Sequence, residues 1–92
     1  MRLPSAGREY ATWTVTSSEE GIALEVTFDD GTTWHPLETV DATTFRALIA
    51  GPDATTNPPG TIVLTAGRHF GQIRATDTPE IIIRDAGTID VT

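Results

Sequence analysis

Ile22-Ala23-Leu24-Glu25-Val26-Thr27-Phe28-Asp29-Asp30-Gly31-Thr32-Thr33-Trp34 is the stretch whose reading decides the fold. Its first seven residues put an apolar side chain at every second position, as a strand with one buried face requires. Asp29, Asp30 and Gly31 then read as a three-residue loop in which Gly31 takes the positive φ of a bulge. That register sets Phe28 opposite Thr32 and Val26 opposite Trp34, so Trp34 lies on the buried side. A two-residue Asp30-Gly31 turn would set Trp34 opposite Thr27 and leave a large ring on the polar face. The bulged register is the expectation, with Trp34 packed against Val26 and Trp13. Trp34 to Leu37 forms the return strand, and Pro36, which cannot donate to a ladder, marks a sheet edge.

Within this stretch Thr27, Asp29, Gly31, Thr33 and Trp34 have the spacing TxDxGxTW. It is similar to the Asp box, the hairpin motif repeated in sialidases and other propeller-type proteins. In that family the Asp side chain ties down turn amides, the aromatic ring packs beneath, and the motif lies away from catalysis. The resemblance thus implies a structural hairpin and no hydrolase activity. A propeller needs several blades, each with its own copy, and 92 residues hold one copy only.

A chain of this length is one domain, able to bury about 60 to 65 per cent of its unfolded surface. The absence of cysteine rules out a disulfide framework and a thiolate metal site. Residues 1 to 8 hold no apolar h-region, and no run approaches the ~20 apolar residues of a membrane span, so the chain is expected to stay where it is made. Thirteen acidic against six basic side chains give a formal charge of −7, which opposes attachment to phosphate backbones and anionic lipid. Neither nucleic acid nor membrane is an expected partner. All six cations are arginine. That bias fits either the planar, bidentate pairing that suits arginine to interfaces or the codon composition of a GC-rich genome.

The remainder reads as short strands between turn signals. Glu9 to Ser18 alternates and sends Trp13 and Val15 inward, and Ser17 to Gly21 is a polar turn. In Asp41 to Ala50, Asp41 suits a helix cap, but Thr43, Thr44, Phe45 and Ile49 favour the strand we expect. Gly51 to Gly60, with three prolines, is a loop. Thr61 to Thr76 reads as a second hairpin that Asp77-Thr78-Pro79 breaks. Glu80 to Arg84 and Gly87 to Val91 close the chain as one strand or two. Ile81, Ile82 and Ile83, apolar on both faces, belong centrally or under a partner. About seven short strands with turns every 8 to 12 residues suit an all-β fold, an antiparallel immunoglobulin-like β-sandwich without the Cys-Trp-Cys signature. Residues 9–92 would form the sandwich and residues 1–8 an extended N-terminal arm, ordered by a neighbouring subunit through Arg2, Leu3 and Arg8.

The residues offer little chemistry. Ser5, Ser17 and Ser18 sit in the arm and a turn, and no GxSxG elbow or triad is present. His35 and His69 lack a second ligand at zinc-motif spacing. Calcium would need Asp29, Asp30, Asp41 and Asp53 to converge from separate loops. We therefore expect no catalytic, cofactor or metal residues and no small-molecule substrate. Arg74 is expected to pin the Pro79 corner by pairing with Asp77 or Glu80, and Arg68 and Arg84 join Arg2, Leu3 and Arg8 as candidate partner contacts. A carbohydrate-binding module is the rival reading; it would display Tyr10, Trp13 and Trp34 as coplanar exposed rings.

Three segments, VTFDDGTTWHPL, GRHFGQIRATDTPE and IIIRDAGTIDV, give the chain a resemblance to small virion proteins of tailed bacteriophages that infect high-GC actinobacteria. This resemblance implies a non-enzymatic structural protein, a capsid decoration, head-tail connector or tail component. Its partners would be other virion proteins in a symmetric assembly, and its place the virion, assembled in the host cytoplasm.

Overall fold

A computed structural model describes residues 1–15, 23–77 and 80–92. Among them every regular element is a strand: β1 Arg2–Leu3, β2 Arg8–Thr14, β3 Ala23–Thr27, β4 His35–Pro36, β5 Glu38–Thr39, β6 Thr44–Ala50, β7 Ile62–Val63, β8 Gly67–Asp77 and β9 Glu80–Val91. The fold is all-β. One sheet has the order β1-β9-β8-β3-β4; the other runs β2-β6-β5, with β7 added beside β6. The expected polar turn at Ser17 to Gly21 lies outside the described residues, as do Thr78 and Pro79 of the expected Asp77-Thr78-Pro79 break, whereas the Asp77 backbone ends β8.

The alternating patterns explain the core. Leu24, Val26 and Phe28 from β3 and the turn after it, Ile73 from β8 and Ile89 and Val91 from β9 meet Phe45, Ala47 and Ile49 of β6 and Ala11 of β2 in one buried cluster. Trp13 and Val15 pack partly buried against it, and the Trp13 indole donates to the Ala86 carbonyl at 2.8 Å, linking the two sheets. β6 is a strand and not a helix. The Asp41 carboxylate that resembled a helix cap instead accepts the backbone N–H groups of Thr43 and Thr44 at 2.9 and 2.8 Å, an Asx-type turn at the start of a strand. Pro36 stands on β4, at the sheet edge.

Three expectations about strand number and pairing are corrected. The strands number nine among the described residues, not seven, and pairing is mixed, because β1 runs parallel to β9 and β7 parallel to β6. Thr61 to Thr76 is not a hairpin: Ile62 and Val63 pair with Ile49 and Ala50, while β8 turns back onto β9. The long hairpin is therefore β8–β9, which carries a register shift at Gly71/Gln72. At about 3.4 Å per residue, the 11 residues of β8 make a strand about 37 Å long.

Residues 1–8 are not an arm waiting for a neighbour. Arg2 and Leu3 pair with Asp90 and Val91, and Leu3 is fully buried in the core. The Gly51 and Asp53 amides donate to the Gly7 and Ser5 carbonyls at 3.0 and 2.9 Å. Arg8 already belongs to β2, opposite Ala50. A parallel partner at the far end of the chain supplies what local alternation lacks.

Candidate functional site

The β3–β4 hairpin gathers the TxDxGxTW residues around one carboxylate. Asp29 Oδ1 accepts the Thr27 hydroxyl at 2.7 Å and the Thr33 amide at 2.8 Å. The Thr27 oxygen in turn accepts the Gly31 N–H at 3.1 Å. Thr27 is fully buried, so these bonds satisfy a hydroxyl that burial would otherwise penalise.

The turn itself corrects the expected register. Asp30 and Gly31 have φ of 59° and 87°, the Thr32 amide donates to the Asp29 carbonyl at 3.3 Å, and Val26 pairs with His35. This is the two-residue turn with positive φ at both central positions. Asp tolerates that conformation, and the Thr27–Asp29 bonds hold the loop without a bulge. Trp34 consequently leaves the core and is only partly buried. Its ring is not abandoned to water, because the Arg74 guanidinium stacks on it at 4.2 Å from the centroid. Arg74 is fixed there by Glu25 at 2.8 Å, its cross-strand neighbour. The expected pairing of Arg74 with Asp77 or Glu80 concerns side chains that lie outside the described residues. A cation over an indole face, partly screened from solvent, is what permits the outward position.

Two predictions arise here. Gly31→Val should cost about 1–2 kcal/mol in chemical denaturation, because a branched side chain resists this φ. Its added methyls would also crowd Trp34, whose ring lies 3.8 Å from the position of a Gly31 Cβ. The second concerns pH. The Thr33 amide first, then the Thr27 hydroxyl, holds the Asp29 carboxyl below its ordinary value of 3.8, and the Thr43 amide does the same for Asp41. A depressed folded-state value contributes stability above the unfolded value and loses it as pH falls through the folded one. Tm should hold steady from about pH 7 to 5 and drop below about pH 4. The Asp29→Asn chain should show a shallower acid loss; an acid loss of unchanged depth would contradict this role for Asp29.

The candidate partner contacts separate. Leu3 is core and offers no surface. Arg8 reaches the 51–60 loop, donating to Thr56 O at 3.3 Å and Asn57 Oδ1 at 3.2 Å. Arg68 pairs with Asp90 at 2.8 Å. Arg2 is exposed. Arg84 is exposed on β9 and donates to the carbonyl of its neighbour Ile83 at 3.0 Å.

A cleft of about 600 Å³ lies between the hairpin turn and the β8–β9 ribbon, lined among others by Asp29, Asp30, Arg68, His69 and Asp85. Its cation and imidazole are engaged, Arg68 with Asp90 and His69 Nε2 with the Thr65 carbonyl at 2.8 Å. Among the described residues no three His, Asp or Glu side chains gather to hold a metal, and Asp41 and Asp53 do not join Asp29 and Asp30. Nor do the rings form a sugar platform. Tyr10 lies on β2 beneath the Arg46 guanidinium at 4.0 Å, Trp34 flanks the other sheet beneath Arg74, and Trp13 is partly buried.

What the surface does display is apolar. Ile81, Ile82 and Ile83 on β9 are 62%, 37% and 46% exposed. The run was expected centrally or under a partner, and its exposed place depends on a topology that local pattern does not reveal. No protein family, curated protein or solved structure was found that matches this chain.

Proposed function

We propose that this chain is a non-enzymatic structural component of a bacteriophage particle, a capsid decoration, head-tail connector or tail protein that works through subunit contacts. The observation that carries the contact role is the exposed triple isoleucine of β9 on an otherwise acidic molecule. An apolar run of this kind on a sheet edge is costly in water and serves when another chain covers it. The virion assignment rests on the resemblance of the hairpin, the β8 segment and the β9 segment to small phage structural proteins.

Within the same proposal we read the two sheets as an immunoglobulin-like β-sandwich. The order β9-β8-β3-β4 beside β2-β6-β5 follows the G-F-C-C′ and B-E-D sheets of variable-type domains. The extra β7 and the missing cysteines are its departures from that pattern. Such a scaffold presents edges and hairpins to partners while its core stays closed.

The test is biochemical. Particles purified from producing cells should contain this chain at a fixed ratio to the major capsid or tail protein, measured by quantitative mass spectrometry. Its absence from intact particles, or a reproducible turnover by the purified chain in a substrate screen, would overturn the proposal.

A further inference from the structure

We propose that two copies of this chain pair antiparallel along the outer edge of β9, about a two-fold axis at Ile82. This deepens the subunit-contact reading above by naming the partner as a second copy.

The edge is open where the isoleucines lie. β1 covers only Asp90 and Val91, so among the described residues no strand pairs with the outer side of Glu80 to Gly87. Backbone alternation identifies which groups face out. The Leu37 amide donates to the Leu24 carbonyl, so Leu24 addresses β4 and Glu25 addresses β8. Glu25 pairs with Arg74, which therefore addresses β3, leaving Ile73 and Ala75 to address β9. Their partners Arg84 and Ile82 turn inward. Ile81 and Ile83 thus direct their N–H and C=O groups away from the molecule. The same alternation holds past the irregularity, where Asp90 donates outward to the Met1 carbonyl at 2.8 Å.

Only registers that match one outward residue with another can form a ladder. Among those, the one centred on Ile82 sets Ile81 opposite Ile83 of the second copy and Ile83 opposite its Ile81, giving four backbone hydrogen bonds. Ile82 then meets its own counterpart on the axis. The same register sets Glu80 opposite Arg84 at both ends, a residue of each formal charge at every flank. A register centred on Ile83 sets Ile81 against Asp85 and Ile82 against Arg84, mismatched at both. The sequence EIIIR is therefore complementary to itself in one antiparallel alignment. In the single chain Arg84 guards the edge by bonding the Ile83 carbonyl.

Sedimentation equilibrium of the intact chain over a concentration series tests this. The wild type should populate dimers, and Arg84→Glu, which sets like charges together, should raise the dimer Kd at least about tenfold. The double variant Glu80→Arg with Arg84→Glu should restore pairing. Because the chain has no cysteine, Ile82→Cys supplies an independent readout. Residues facing across a non-hydrogen-bonded antiparallel site lie about 4.5 Å apart at Cα, within disulfide reach. Mild oxidation should convert this variant to a covalent dimer far faster than a Thr12→Cys control on the other sheet. A wild type that stays monomeric throughout, a dimer indifferent to both charge variants, or equal crosslinking of the two cysteine variants would each overturn the proposal. A chain that is monomeric alone yet present in particles would sink the self-pairing and leave the virion reading intact.

Discussion

Truncating Leu3 to alanine is expected to lower the unfolding free energy by about 3–5 kcal/mol, the range for a leucine removed from a site that cannot collapse. Leu3 is fully buried, and its surroundings are rigid. Its backbone is held by pairing with Val91 and by the Thr92 amide, which donates to the Leu3 carbonyl at 3.0 Å. A Gly7 Cβ would lie 3.2 Å from a Leu3 methyl, so the Pro4–Gly7 turn closes directly over the side chain. Deleting residues 1–8 should be worse than Leu3→Ala, since it also strips the first strand from β9 and the carbonyl partners from Gly51 and Asp53. We expect that deletion to abolish cooperative unfolding by circular dichroism. A truncated chain that melts as the intact one does would show that the segment is dispensable.

Gly51→Ala should be similarly damaging, for a different reason. A Cβ at this buried position would collide with the Ser5 carbonyl oxygen and lie 2.6 Å from Ser5 C and 2.8 Å from Pro4 O. Those atoms are backbone, so no side chain can rotate aside. The end of β6 and the N-terminal turn would have to part, losing the hydrogen bonds that Gly51 and Asp53 donate across the gap. The expected cost is about 3 kcal/mol, at the top of the overpacking range. Gly60→Ala makes the contrast: its φ is +84° but nothing lies within 4 Å, so backbone strain alone should cost about 1 kcal/mol. Urea denaturation of the two variants separates the mechanisms, and equal losses would contradict the collision.

These predictions mark where reading the chain residue by residue succeeds and where it stops. Strands with one buried face declare themselves: Leu24, Val26 and Phe28, or Phe45, Ala47 and Ile49, alternate because a pleated ribbon against a core requires it. Two-residue strands cannot alternate. β1 and β7 are held by parallel partners distant in sequence, so Leu3 between Arg2 and Pro4 looked like a solvated arm, and Ile62-Val63 looked like half of a hairpin. The Asp29 box was legible in its members but not in its register. The deciding fact was Arg74, on the strand β8 beside the hairpin, which covers Trp34 and removes the penalty of the outward ring. Asp41 failed in a subtler way, since a carboxylate that accepts the next two or three amides serves a helix start and an Asx turn alike. The isoleucine run was expected centrally or under a partner; its exposed place on β9 came only with the strand order.

The central claim is a domain whose two ends are locked together and which, among the described residues, leaves the outer edge of β9 unpaired from Glu80 to Gly87. Amide hydrogen exchange at two protein concentrations tests it most directly. At the lower concentration the Asp90 and Thr92 amides, bonded to Met1 and Leu3, should exchange only through global unfolding, while the Ile81 and Ile83 amides exchange quickly. At the higher one Ile81 and Ile83 should become protected and the others stay unchanged. Fast exchange at Asp90 and Thr92, or protection at Ile81 and Ile83 that does not vary with concentration, would contradict the account.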